Sequence, residues 1–120
     1  MQINYKALTV ELTDDIRAYT EEKIAMVEKL IAGVDPDNVS VDIDLSRKQN
    51  QKSGDIFRAD ITMHAGADRT HAVGHGETLM AALDEAKDEL SRRLRRSKTR
   101  RLDSIRRGGA KIKNALRFWK

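Results

Sequence analysis

The chain has 120 residues, 39% of them apolar, enough for one domain with a modest core, while a charged fraction of 35% demands a large solvated surface. It contains no cysteine, which excludes a disulfide framework, a thiolate metal site and a cysteine nucleophile. The net charge of +4 hides a sharp division: residues 1–90 carry 10 Lys/Arg against 18 Asp/Glu, and residues 91–120 carry 13 Lys/Arg against one acid, Asp103. An asymmetry of this kind points to a polyanionic partner, most commonly nucleic acid.

At the start, Met1, Ile3, Tyr5 and Ala7 alternate with Gln2, Asn4 and Lys6, which predicts a short half-buried strand. These residues lack the charged region and apolar run of a signal peptide, and nowhere does the chain approach 18 consecutive apolar residues. The expectation is a soluble, cytoplasmic protein without a membrane span. Thr13 before Asp14 and Asp15 reads as a helix N-cap followed by acids that the helix dipole favours. Ile16, Thr20, Ile24, Val27 and Ile31 then recur at helical spacing, with Gly33 and Asp35-Pro36-Asp37 as the stop, giving a helix of about 18 residues.

Two longer strands follow. Val39, Val41, Ile43 and Leu45 alternate with polar residues, and after the polar loop 47–54 so do Phe57, Ala59, Ile61 and Met63. Such regular alternation predicts one buried and one wet sheet face. A turn over residues 65–68 leads to a fourth strand, Arg69 to Val73, whose inward positions Thr70, Ala72 and Gly74 are small enough for a helix to pack closely. The last helix begins near Glu77 and meets no breaker before Gly108 and Gly109. Leu79, Leu83, Ala86, Leu90 and Leu94 form its apolar stripe; its first half is otherwise acidic and its second half basic. Beyond the glycines, Ile112, Ala115, Leu116 and Trp119 share one face of a short cationic segment.

The order β-α-β-β-β-α predicts an α+β fold: a two-layer sandwich with a four-stranded sheet, two helices on one face, an open polar face opposite, and a basic C-terminal tail. The division falls at a domain of residues 1–101 and an amphipathic tail of residues 102–120.

Among candidate sites the basic run stands first. Charge of one sign at this density repels itself on an isolated helix, so a partner must offset it. Nine of the 13 cations after residue 90 are Arg, which suits forked phosphate contacts. Engagement of about six phosphates would cost about a thousandfold in affinity between 50 and 200 mM salt. Base stacking is a poor alternative, because the outward sheet positions Arg58, Asp60, Thr62, Arg69 and His71 hold no aromatic residue. The strand content excludes a helix-turn-helix, and the leading strand departs from the double-stranded-RNA-binding order. His71 and His75 share a strand face roughly 13 Å apart, too far to chelate one ion, and His64 finds no third ligand. Gly74-His75-Gly76 lacks the setting of a nucleotide loop. No catalytic constellation is present, so neither enzyme activity, a cofactor nor a small-molecule substrate is expected.

Several segments together resemble the ribosome hibernation promoting factors, the family that includes the ribosome-associated translation inhibitors. They are Met1-Gln2-Ile3, Leu12-Thr13-Asp14, then Tyr19, Lys23-Ile24 and Val27-Glu28-Lys29 in the first helix. Gly54-Asp55-Ile56-Phe57-Arg58-Ala59, His71-Ala72 and Ala81-Ala82-Leu83-Asp84 continue the likeness over roughly residues 1–100. Met80 stands where the family usually has an aromatic residue, and the chain is expected to be a short form without a C-terminal dimerisation domain. The resemblance implies a non-enzymatic protein that binds the small ribosomal subunit in the channel between head and body. There it would cover the transfer-RNA and messenger-RNA sites, inhibit translation and stabilise idle 70S ribosomes. Its expected partners are 16S ribosomal RNA and the 70S particle. The residues expected to grip the RNA are Arg92, Arg93, Arg95, Arg96, Lys98, Arg100 and Arg101, with Lys23, Lys29 and Lys87 as support. The alternatives are a general RNA-binding or RNA-chaperone module, and a small enzyme or regulator that takes an anionic ligand.

Overall fold

In a computed structural model, residues 1–31, 34–48, 54 and 56–107 are described, with only the backbone for residue 36 and residues 97–107. The expected stop at Gly33, the middle of the polar loop, the Gly108 and Gly109 hinge and the tail after it lie outside the described residues.

Four strands, β1 (Gln2–Leu8), β2 (Val39–Arg47), β3 (Phe57–Ala65) and β4 (Asp68–Gly76), form one sheet in the order β1-β2-β3-β4. β1 and β2 are parallel, joined by α1 (Asp14–Glu28); the other two pairings are antiparallel. α2 (Leu79–Arg107) packs across β4 and β3 and against α1. This is the expected α+β sandwich. Thr13 caps α1, its hydroxyl accepting from the Ile16 N–H at 3.2 Å. A 3-10 turn (Lys29–Ile31) then takes up the last of the helical pattern, so α1 proper has 15 residues rather than about 18.

The alternation placed the core correctly. Val39, Val41, Ile43, Leu45, Ala59, Ile61 and Met63 are buried from the sheet side, and Ile24, Val27, Leu83, Ala86 and Leu90 from the helices. β4 is longer than its apolar residues suggest, because its ladder with β3 continues from Asp68 to Gly76. α2 starts two residues after Glu77 because Thr78 caps it. The Thr78 hydroxyl accepts from the Ala81 N–H and its carbonyl from the Ala82 N–H, both at 3.0 Å.

The helix directions decide where the charge lies. Gly74 faces Ala82 and Ala86, while Gly76 faces Ala81, so α2 runs antiparallel to β4. α1 returns between two parallel strands and runs antiparallel to both. Two antiparallel steps make β4 parallel to β2, so α1 and α2 run side by side in one direction. Their C-terminal ends lie at the same end of the sheet.

Candidate nucleic-acid interface

Leu90 is buried and Leu94 half-buried against the core, and Leu94 is the last α2 side chain so packed among the described residues. The helix nonetheless continues to Arg107, roughly 20 Å further at 1.5 Å per residue. Arg92, Arg93, Arg95 and Arg96 are exposed where this arm begins. Lys98, Arg100 and Arg101 continue it in the backbone, with side chains outside the described ones. Lys and Arg near a helix C-terminus also complement its dipole.

Arg92 and Arg93 are not independent. Glu89 accepts from Arg93 Nε at 2.9 Å and lies 2.7 Å from an Arg92 terminal nitrogen. One carboxylate thus gathers two neighbouring arginines at i+3 and i+4. The Arg93 hydrogen bond, then the charges of Arg92, Arg93 and Arg96, hold the Glu89 carboxyl below the usual carboxylate range. Exposed pairs of this kind are weak and screened by salt, so a phosphate can displace the carboxylate readily. The residue types predicted by sequence omitted Glu89, although its spacing from Arg92 and Arg93 was the available signal.

The supporting lysines are placed differently. Lys23 stands 3.7 Å from Asp84 and 5.1 Å from the centre of the Tyr19 ring. The Tyr19 hydroxyl donates to the same carboxylate at 2.6 Å, tying α1 to α2, and that bond, with burial, pushes its phenol up to about 12. Lys87 pairs with Asp88 at 2.6 Å. Lys29, exposed on the 3-10 turn after α1, lies at the end of the helix layer from which the arm leaves. Lys23 is therefore balanced in the seam between the helices and Lys87 by its neighbour on α2, while Lys29 and the arginines share the cationic end.

The open sheet face has a network of its own. Arg58 donates to Asp60 through two nitrogens at 2.9 and 3.1 Å, and His71 Nε2 lies 3.1 Å from the same carboxylate. Arg58 foremost, and His71 after it, hold the Asp60 carboxyl below its ordinary range against the opposing effect of burial. His64 turns to Asp42 at 3.4 Å. The two histidines thus take separate carboxylates, and among the described residues no group of three His, Asp or Glu is placed to hold a metal ion. No helix among them is long and apolar enough to cross a membrane.

With this geometry in hand, comparisons with known proteins agree on one likeness. Residues 3–102 match the model of the family described as Sigma 54 modulation protein / S30EA ribosomal protein. The chain is 29% identical over 98 residues to a ribosome hibernation promoting factor of Salmonella typhimurium, covering 82% of this chain and 94% of the relative. It is 28% identical over 91 residues to a ribosome hibernation promotion factor of Deinococcus radiodurans, covering 76% of this chain but only 46% of that longer protein. In structure it is similar to the N-terminal domain of Thermus thermophilus Protein Y, with a TM-score of 0.66 and 25% identity, covering 80% and 98% of the two chains. A ribosomal subunit interface protein from Coxiella burnetii shares the fold, with a TM-score of 0.63 at 17% identity, covering 82% and 99%.

Proposed function

The chain belongs to the Sigma 54 modulation protein / S30EA ribosomal protein family, and on that footing we propose that it is a ribosome hibernation factor of the small subunit. The body of residues 1–101 enters the channel between head and body of the 30S subunit and covers the transfer-RNA and messenger-RNA sites. Translation is blocked by occupancy, without a chemical step, and the idle 70S particle is stabilised. The arm of α2 lies against 16S phosphates, and the cations of residues 102–120 extend that contact.

The observation that carries this reading is the run of 13 Lys/Arg against one acid after residue 90, begun on a helix that continues past the core. Ribosomal RNA offers such a helix a dense field of phosphates. The acidic remainder of the chain opposes any other orientation, so attraction at one end and repulsion elsewhere give docking a direction. Two relatives bear hibernation-factor names, which favours a ribosomal target over RNA in general.

Sucrose-gradient sedimentation tests it. The wild-type protein is expected to travel with 30S and 70S particles at moderate salt. The combined Arg92→Glu, Arg93→Glu, Arg95→Glu and Arg96→Glu variant should lose at least about a hundredfold in affinity and remain at the top. Wild-type protein left at the top with ribosomes in excess would refute the assignment, and equal binding to any structured RNA would favour the general RNA-binding module.

A further inference from the structure

The cations at the opposite end of the molecule are held in another way. β2 ends at Arg47, paired with Phe57 of β3, and Lys48 carries the hairpin one step further by donating its N–H to the Ile56 carbonyl at 2.7 Å. Beside them stands Thr9, just past β1, with a left-handed backbone (φ 61°) unique among the described non-glycine residues. Its hydroxyl accepts from the Arg47 N–H at 3.0 Å and places its single proton between the carbonyls of Leu8, the nearer, and Arg47 at 3.1 Å. A side chain thereby replaces the next rung of the β1–β2 ladder. A β-branched residue at positive φ costs about 1–3 kcal/mol, and what that strain secures is the backbone of Arg47.

The Arg47 guanidinium lies 6.0 Å from the centre of the Phe57 ring, which packs in turn on the core. Arg47 and Lys48 are both exposed. Lys23, Lys87, Arg58, Arg92 and Arg93 each have a carboxylate within ion-pair distance; Arg47 and Lys48 have none among the described residues. The Arg47 charge is thus held against a ring, and among the described residues no carboxylate lies within ion-pair distance of either cation.

We propose that Arg47 and Lys48 form a second phosphate-binding pole, which engages a stretch of RNA separate from the one held by the α2 arm. The inference rests on the ribosomal reading above and adds a second point of contact to it. Arg47 presents a planar fork whose backbone N–H is held by the Thr9 hydroxyl and whose guanidinium is steered by a ring, so little freedom is lost on binding. Lys48 adds a point charge. Arg47, Phe57 and Gly76 form one row across the sheet, and Gly76 lies against Ala81 at the start of α2. Arg92 and Arg101 follow Ala81 by about 17 and 30 Å along the helix axis. Both spans exceed the Debye length of about 8 Å at physiological salt, so the two poles act as separate charges and require an RNA surface broad enough to meet both.

The test is the salt dependence of binding to isolated 16S ribosomal RNA, followed by fluorescence anisotropy, for the wild-type protein, the Arg47→Gln and Lys48→Gln double variant, and Lys48→Gln alone. Two lost phosphate contacts should weaken binding about tenfold and flatten the slope of log affinity against log salt by about 1.4–1.8. Lys48→Gln, which leaves the Thr9 clamp intact, should flatten it by about half as much. Unchanged slopes in both variants, with thermal stability preserved, would overturn the proposal. Ribosome sedimentation separates the two claims: wild-type protein that binds the RNA with the expected slopes but ignores ribosomes refutes the ribosomal assignment and leaves the second pole standing.

Discussion

Tyr19 joins the two helices through one hydroxyl. Its phenol donates to Asp84, and Lys23 stands against both the carboxylate and the ring. The folded state favours the neutral phenol, so its pKa rises to about 12, chiefly through the Asp84 bond. The stability this contributes is complete below pH 10 and lost as pH rises through 12. Ultraviolet titration should therefore show one tyrosine ionising near pH 12, absent in Tyr19→Phe, and that variant should lose about 1–2 kcal/mol in urea unfolding. A Tyr19 that titrates like the free amino acid would contradict the contact. Tyr19 enters the sequence reading only through the family resemblance, with no sign of its hydroxyl's partner, because Asp84 is distant in the chain and only the packing of α1 on α2 brings it near. Lys23, read as a cation for RNA, is drawn into the same contact.

At the scale of elements, the approach of α2 to β4 sets how rigidly the arm is mounted. A Cβ on Gly74 would collide with the backbone of Ala82 and Ala86, and one on Gly76 would come within 2.7 Å of Ala81. Backbone cannot move aside as a side chain does, so Gly74→Ala should cost about 3 kcal/mol or more, lowering the melting temperature by more than about 10 °C. Gly66→Ala is the control: no atom lies near its Cβ, and only the turn conformation at φ 61° resists it. If Gly74→Ala melted with the wild type, the close packing would be wrong. This much was legible, since the small inward residues of the fourth strand already read as room for a helix. The ends of the elements were less so. Gly74 and Gly76 look like breakers, yet the ladder to β3 holds them in strand, and Thr78 rather than Glu77 starts α2 through a bond that depends on local geometry.

Across the whole molecule, the charge division visible in the sequence becomes a direction in space. Parallel helices bring the C-terminal ends of α1 and α2 together, so Lys29 joins the arginines of the arm, while Asp84 faces α1 in the seam and Glu85 faces β4. The order of elements and the alternating strands were enough to predict two helices on one sheet face, but the common direction of the helices follows from the contacts of Gly74 and Gly76 with α2. The internal ion pairs of Lys23, Lys87, Arg92 and Arg93 were not, because a sequence shows charge without showing what stands next to it. In the proposed function, the cationic arm anchors the acidic body on the small ribosomal subunit. Cryo-electron microscopy of 70S ribosomes incubated with the full chain tests it most directly. The expected result is density for the domain between head and body of the 30S subunit, with the second half of α2 against 16S ribosomal RNA; an empty channel, or a bound domain whose arm points away from RNA, would contradict it.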